Sequence, residues 1–367
     1  MKKMFNCRES VLSELTNDEV WYRMVKDRNH IRIPGTNPIK SPDYNYIKDQ
    51  PDNEWEILDR DGVYIHEHEK YVNNVLTAPE MQLLHPRDVF IYDNAGVSNK
   101  PKDKFGALVL TKDSMNPKYL TRKWQSRITQ GETCSWKTVL EKFHKGKTPS
   151  SNALVIIDRY LFAFNPQSRT DYKNGIRNVY GLLNELLPDS FPGEYHVLLV
   201  FDDTAISNNA SIEVISQELQ NIMIELRHNY APTIELLTIN SIVDRKAFSE
   251  THDRMIISNY YMISCDHGFS AICPPRRHMT DIDYIDTGTG AWSQNIRFEG
   301  IYAGVDADDE DLDMKSLPIR TCDYAITFLR EYLHKLQNGE RTGYYYVVNG
   351  DVHVSINDFR NRLITSD

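Results

Sequence analysis

In the stretch "FSETHDRMIISNYYMISCDHGFSAI", residues 248–272, one imidazole, one carboxylate and one guanidinium stand directly ahead of an apolar run. Side chains alternate along an extended backbone, so His252 and Arg254 share one side and Asp253 points to the other. An arginine offers forked donors, and an imidazole offers a hydrogen bond or a nucleophilic nitrogen. Side by side at the mouth of a strand, the two can grip a phosphate. Asn259 falls where the strand should turn, "YYMIS" returns antiparallel, and Gly268 and Ser270 follow where that return ends. The bland alternative is a surface histidine, an Asp253–Arg254 pair spent on its neighbours, and an Asn259 that only forms a turn.

Such a pair needs a framework, and the chain ahead of it supplies one. "ALVIIDRYLF" and "YHVLLVFDD" are nearly continuous apolar runs, as strands covered on both faces are. Between them, Ile176, Val179, Tyr180, Leu183, Leu186 and Leu187 recur at helical spacing, and Pro188 ends the run. Ile212, Ile215, Leu219, Ile222, Met223 and Leu226 repeat the stripe before a third strand, "TIELLTIN". Strand, helix, strand, helix, strand is the order that builds a parallel sheet, whose ligands sit beyond the carboxyl ends of the strands. Asp158, Asp202, Asp203 and the residues before His252 all fall at such ends. Further on, "DYAITFLREYLHKLQNG" predicts a helix and "TGYYYVVNGDVHVSI" a hairpin turning at Asn-Gly.

His252-x-Arg254, four residues, Asn259, then Gly268-Phe269-Ser270 resembles a degenerate form of the phospholipase D signature, in which His-x-Lys, four residues and Asp precede a Gly-Ser. Its nearest variant is the phospholipase D-like domain at the carboxyl end of MIT-domain proteins. The resemblance covers roughly Ser151 to Ile272. It implies an α/β fold with a mixed, mostly parallel sheet flanked by helices. It also implies a site with His252, Arg254 and Asn259 in the catalytic positions. Gly268 and Ser270 would join His252 and Arg254 around the phosphate, with Asp158 and Asp253 in support. Active relatives form a phosphohistidine without metal or cofactor and need a second histidine from a second copy of the motif. No second copy occurs in this chain, so hydrolysis would need a homodimer that brings two His252 residues together, or help from His267 or His228. Two departures matter: Arg254 replaces the family lysine, and Asn259, which cannot hold a charge, replaces the aspartate. The MIT-associated relatives bind rather than hydrolyse.

The resemblance therefore implies a protein that recognises phosphate groups, nucleic acid foremost, with prokaryotic genome defence as one setting. A dimeric, metal-independent nuclease or phosphodiesterase is the alternative, and a protein-interaction scaffold a third.

The net charge of −10 excludes a protein basic all over, but the charge is uneven. Residues 100–148 hold twelve Lys or Arg against four Asp or Glu, a local +8 that leaves −18 on the remainder. In "NPKYLTRKWQSRITQ", Lys118, Arg122, Lys123, Trp124 and Arg127 put cations beside aromatics, as a surface that neutralises phosphates and stacks on bases would. A solvated helix face with a buried tryptophan reads equally well from those residues.

At 367 residues two domains are expected: a small, partly basic α+β domain over 1–150 and an α/β domain over 151–300. The boundary is placed in "KGKTPSSNA", and residues 301–367 complete or decorate the second domain. Five cysteines with no CxxC pair argue against a disulfide framework or zinc ribbon and fit a reducing cytoplasm. No apolar run reaches the ~20 residues that span a bilayer, and "MKKMFNCRESVLSEL" lacks the apolar core of a signal peptide. His66 and His68 share a strand face without a third ligand at usable spacing, "DADDEDLD" lacks calcium-loop spacing, and "DTGTGAW" reads as a loop.

Overall fold

The computed structural model describes residues 3–7, 29–34, 54–58, 88–92, 106–111, 123–144, 151–163, 171–191, 193–206, 210–226, 230, 232–244, 254–273, 289–292, 295–302, 317–339, 343–348, 351–354 and 359–365. Five short strands come first: β1 (Lys3–Cys7), β2 (Asn29–Pro34), β3 (Glu54–Leu58), β4 (Asp88–Tyr92) and β5 (Leu108–Thr111). They pair in parallel, in the order β3-β2-β1-β4-β5. Parallel neighbours need long crossovers rather than hairpins to join them. The segments between these strands, His66 and His68 among them, lie outside the described residues.

The chain continues through β6 (Lys123–Ile128), β7 (Thr133–Ser135), α1 (Trp136–His144), β8 (Ala153–Asp158), α2 (Tyr172–Leu186) and β9 (His196–Asp202). Then come α3 (Ile212–Leu226), β10 (Thr233–Ile239), β11 (Arg254–Ser258), β12 (Tyr261–Cys265), β13 (Ile272–Cys273), β14 (Thr289–Trp292) and β15 (Ile296–Tyr302). The last elements are α4 (Leu317–Asn338), β16 (Tyr344–Val348), β17 (Asp351–Val354) and α5 (Arg362–Thr365). A nine-stranded sheet takes the order β17-β16-β10-β9-β8-β11-β12-β15-β6, and β13-β14-β7 form a small third sheet.

The central trio β8, β9 and β10 is parallel, as the strand–helix alternation requires. Every other pairing in the nine-stranded sheet is antiparallel. A mixed sheet was expected, but its parallel part is the minority. The reason is physical: β11 and β12 are buried on both faces, so they read as apolar runs whatever their direction.

Two further corrections follow from the pairing. β6 closes one edge of this sheet against β15, and α1 packs beneath it, so the boundary expected within 145–153 falls inside one packed unit. β14, within the stretch expected to be a loop, is a strand paired with β7 and β13.

Helices α1, α2 and α3 cover one face of the sheet, where Ile176, Val179, Leu183, Leu219 and Met223 meet Leu154, Ile156 and Leu199. On the other face, Leu329 and Leu333 of α4 and Leu363 of α5 meet Val155, Ile157, Leu198 and Val200. Each such side chain, fully buried, contributes about 1.5–3 kcal/mol from transfer out of water. This double cover holds the rim where the carboxyl ends of β8, β9 and β10 meet the first residue of β11. Among the described residues no helix is long and apolar enough to cross a membrane.

Candidate functional site

β8 ends at Asp158, directly opposite Arg254 in the antiparallel register with β11. Asp158 is fully buried, and its carboxylate organises the rim. Its Oδ1 accepts from the Tyr160 N–H at 2.9 Å, and its Oδ2 from the Phe269 N–H at 2.6 Å. The chain turns tightly behind it, with the Leu161 N–H donating to the Asp158 carbonyl at 3.1 Å and the Ala163 N–H to the Tyr160 carbonyl at 3.1 Å.

Gly268 sits against the same carboxylate. Its φ is +107°, and a Cβ there would lie 2.9 Å from Asp158 Oδ2, so only glycine fits. Cys265 clamps the turn from below: its Sγ accepts from the Gly268 N–H at 3.1 Å and donates to the Gly268 carbonyl at 3.2 Å. Burial pushes this thiol up to about 12, so it stays neutral. The Ser270 hydroxyl donates to the Tyr160 carbonyl at 3.5 Å, and the Ser270 carbonyl accepts from Asn174 Nδ2 at 3.0 Å. That second bond ties the first turn of α2 to the rim.

Arg254 reaches across this turn. One guanidinium nitrogen donates to the Asp266 carbonyl at 2.9 Å, and the guanidinium carbon lies 5.9 Å from the centre of the Tyr160 ring. Its Nε is buried without a hydrogen-bond partner. Among the described residues, ion pairs join Arg159 to Asp202, His196 to Glu194 and Glu235, and Arg297 to Glu299, and none takes Arg254. The Asp266 carboxylate instead accepts from the Arg297 N–H at 2.8 Å.

A second cation borders the same ring. Arg159 lies 5.1 Å from the Tyr160 centroid, with its Nε 3.1 Å from Asp202 Oδ2 and a terminal nitrogen donating to Ser241 Oγ at 3.0 Å. Burial raises the Asp202 carboxyl, but hydrogen bonds from Ser241 and Thr204 outweigh that and hold it below its ordinary value. Asp203 goes the opposite way, raised by burial and by the neighbouring Asp202 charge. Tyr160, over whose ring both guanidiniums lie, is 42% exposed.

Of the residues expected at the site, the rim gathers Arg254, Asp158, Gly268 and Ser270. His252 and Asp253 lie outside the described residues. Asn259 is elsewhere, and its placement is a correction: it is fully buried, beyond the opposite end of β11, roughly 16 Å from Arg254 at ~3.3 Å per residue. Its Oδ1 accepts from the Asn152 and Ala153 N–H groups at 2.9 and 3.1 Å, and its Nδ2 donates to Asn152 Oδ1 at 2.8 Å. It caps the start of β8.

Trp124 is also corrected. It is 7% exposed, its ring lies 5.8 Å from that of Phe143, and a Cβ at Gly300 would come within 2.8 Å of it. It is core, not a platform for a base. Arg127 is exposed on the edge strand β6, and Lys123 belongs to the same strand. Lys118 and Arg122 lie outside the described residues. Sequence reasoning passed over Arg159 and Tyr160, although both stand in the quoted "VIIDRYLF". The signal was two large polar-tipped residues directly after a fully apolar strand, where a strand leaves its sheet.

Among the described residues no group of three His, Cys, Asp or Glu is placed to hold a metal ion. No protein-family model matches the chain, and no curated protein matches it.

Proposed function

We propose that this protein recognises phosphate groups of a nucleic acid at the rim between β8 and β11, with Arg254 as the gripping cation and His252, two residues earlier in the sequence, as its expected helper. The observation that carries the reading is the state of Arg254. Its guanidinium is positioned by one carbonyl and one aromatic ring, has no carboxylate in ion-pair contact among the described residues, and keeps a buried Nε without a partner. A cation so placed gains most from an anion supplied from outside, because each charge-assisted hydrogen bond contributes more than a neutral one. The likeness of His252, Arg254, Gly268 and Ser270 to the phospholipase D signature points to the same ligand chemistry. The protein acts by binding, as the MIT-associated relatives in that resemblance do.

The test is incubation with labelled single- and double-stranded DNA and RNA in EDTA. Retention without cleavage is expected, falling roughly tenfold or more in Arg254→Ala. Unchanged retention by a folded Arg254→Ala protein would remove the reading. Cleavage that His252→Ala abolishes would replace recognition with metal-independent hydrolysis.

A further inference from the structure

Independently of the phosphate reading, we infer that residues 359–365 are held on the sheet by a pH-operated latch, closed while both ring nitrogens of His196 carry a proton and released when one is lost. The latch sits at the start of β9, roughly 20 Å from the rim residue Asp202 at ~3.3 Å per residue. His196 is buried, and each of its ring nitrogens faces a different carboxylate. Nδ1 lies 3.4 Å from Glu235 Oε2, and Nε2 lies 3.5 Å from Glu194 Oε2. A neutral imidazole has one N–H, so its other nitrogen would set a lone pair against a carboxylate oxygen. The imidazolium suits both sides. The in-register neighbours of His196 in the sheet, Ala153 and Thr233, do not titrate. The Tyr344 phenol, raised by burial and by Glu235, keeps its proton, and the Arg360 charge acts on Glu194.

Glu235 links the imidazole to the segment. It is fully buried, and its Oε1 accepts from the Tyr344 hydroxyl, from the Arg360 N–H at 2.8 Å and from the Asn361 N–H at 3.0 Å. His196, Glu235 and Tyr344 stand on paired strands, and the ladder keeps them in place. Residues 359–365 pair with no strand among the described residues. Asn361 Nδ2 donates to the Leu154 carbonyl at 2.9 Å, Arg330 Nε donates to the Ile364 carbonyl at 2.9 Å, and Leu363 and Ile364 are buried. When the imidazole is neutral, Glu235 is a buried carboxylate facing a lone pair, a state that access of water relieves. The part that can lift to admit water is the one outside the ladder, by a local opening short of global unfolding.

The experiment is amide hydrogen exchange on the full chain, from about pH 6 to about pH 9 and corrected for intrinsic rates, for the wild type, Glu194→Gln and His196→Gln. Wild-type protection over 359–365 should hold below 6.5. Above it, protection should fall by up to about tenfold per pH unit until the raised folded-state pKa is passed. It should also stay well below the protection of α2 and change little with urea, as an opening confined to the segment does. Glu194→Gln removes one of the two carboxylates and should make the total fall smaller, and His196→Gln should flatten the profile. The Glu194 side chain is exposed, so that variant keeps the test decisive if His196→Gln does not fold. Wild-type protection that is level with pH, or that falls identically in the variants, overturns the latch. Exchange of 359–365 with the same protection and urea dependence as α2 overturns it too, because the segment would then leave only with the whole fold.

Discussion

At the rim, one fully buried carboxylate does two jobs at once. Asp158 fixes Tyr160 through one oxygen and Phe269 through the other, and its bulk leaves no room for a side chain at residue 268. Removing it in Asp158→Ala strands two backbone donors, a loss of about 2–5 kcal/mol in chemical denaturation. Gly268→Ala should cost about 1–3 kcal/mol through its left-handed φ and its contact with the carboxylate. Asn259→Ala offers the contrasting case. It should destabilise by about 1–3 kcal/mol, because the Asn152 and Ala153 N–H groups lose their acceptor, yet leave oligonucleotide affinity of the folded protein unchanged. A fall in affinity at matched folding would return Asn259 to the site.

The secondary elements were legible to different degrees, for reasons their side chains make plain. β8, β9, α2 and α3 announce themselves by unbroken apolar runs and by stripes at helical spacing, and the structure has them where those patterns lie. The parallel trio and the two hairpins were legible, but the antiparallel pairing of β11 on β8 was not, because double-sided burial removes the alternation that marks an antiparallel strand. β6 was hidden differently. Trp124, Ser126 and Ile128 point inward while Gln125 and Arg127 point out, so its cations read as a nucleic-acid surface and masked a strand. The rim pair Asp158–Arg254 became visible only through the register of β8 with β11.

At the opposite end of the parallel strands, β9 and β10 carry a buried polar cluster that ties the last described residues to the sheet. Glu235 accepts from Tyr344 and from the Arg360 and Asn361 N–H groups. Its other oxygen lies 3.4 Å from His196 Nδ1, and His196 Nε2 lies 3.5 Å from Glu194. Burial works against charge on His196, but the Glu194 and Glu235 carboxylates beside it prevail and raise its pKa above the usual 6.5. A raised folded-state pKa stabilises fully below pH 6.5 and loses that contribution as pH climbs through the folded value. Melting temperature should therefore fall on the alkaline side of 6.5 more steeply in wild type than in His196→Gln, and parallel profiles would exclude the linkage.

For the whole molecule, the placement of β6 changes where binding charge resides. The basic stretch is not a separate basic domain, since part of it forms an edge strand of the sheet that also carries the rim. Binding through the rim alone should depend weakly on salt. One or two phosphate contacts give a slope of log affinity against log salt near −1, at about −0.7 per contact on a single strand. A slope several times steeper would assign the work to the Lys100–Thr148 cations instead.

The role of the Arg254 fork is best read from a substitution series at that one position. Single-strand affinity is measured at fixed salt for the wild type, Arg254→Lys and Arg254→Gln, each shown to melt as the wild type does. Lysine keeps the charge without the fork, and glutamine keeps neither. Affinity should descend from arginine through lysine to glutamine, with roughly tenfold or more across the series. Three equal affinities would mean that no phosphate is held at this rim.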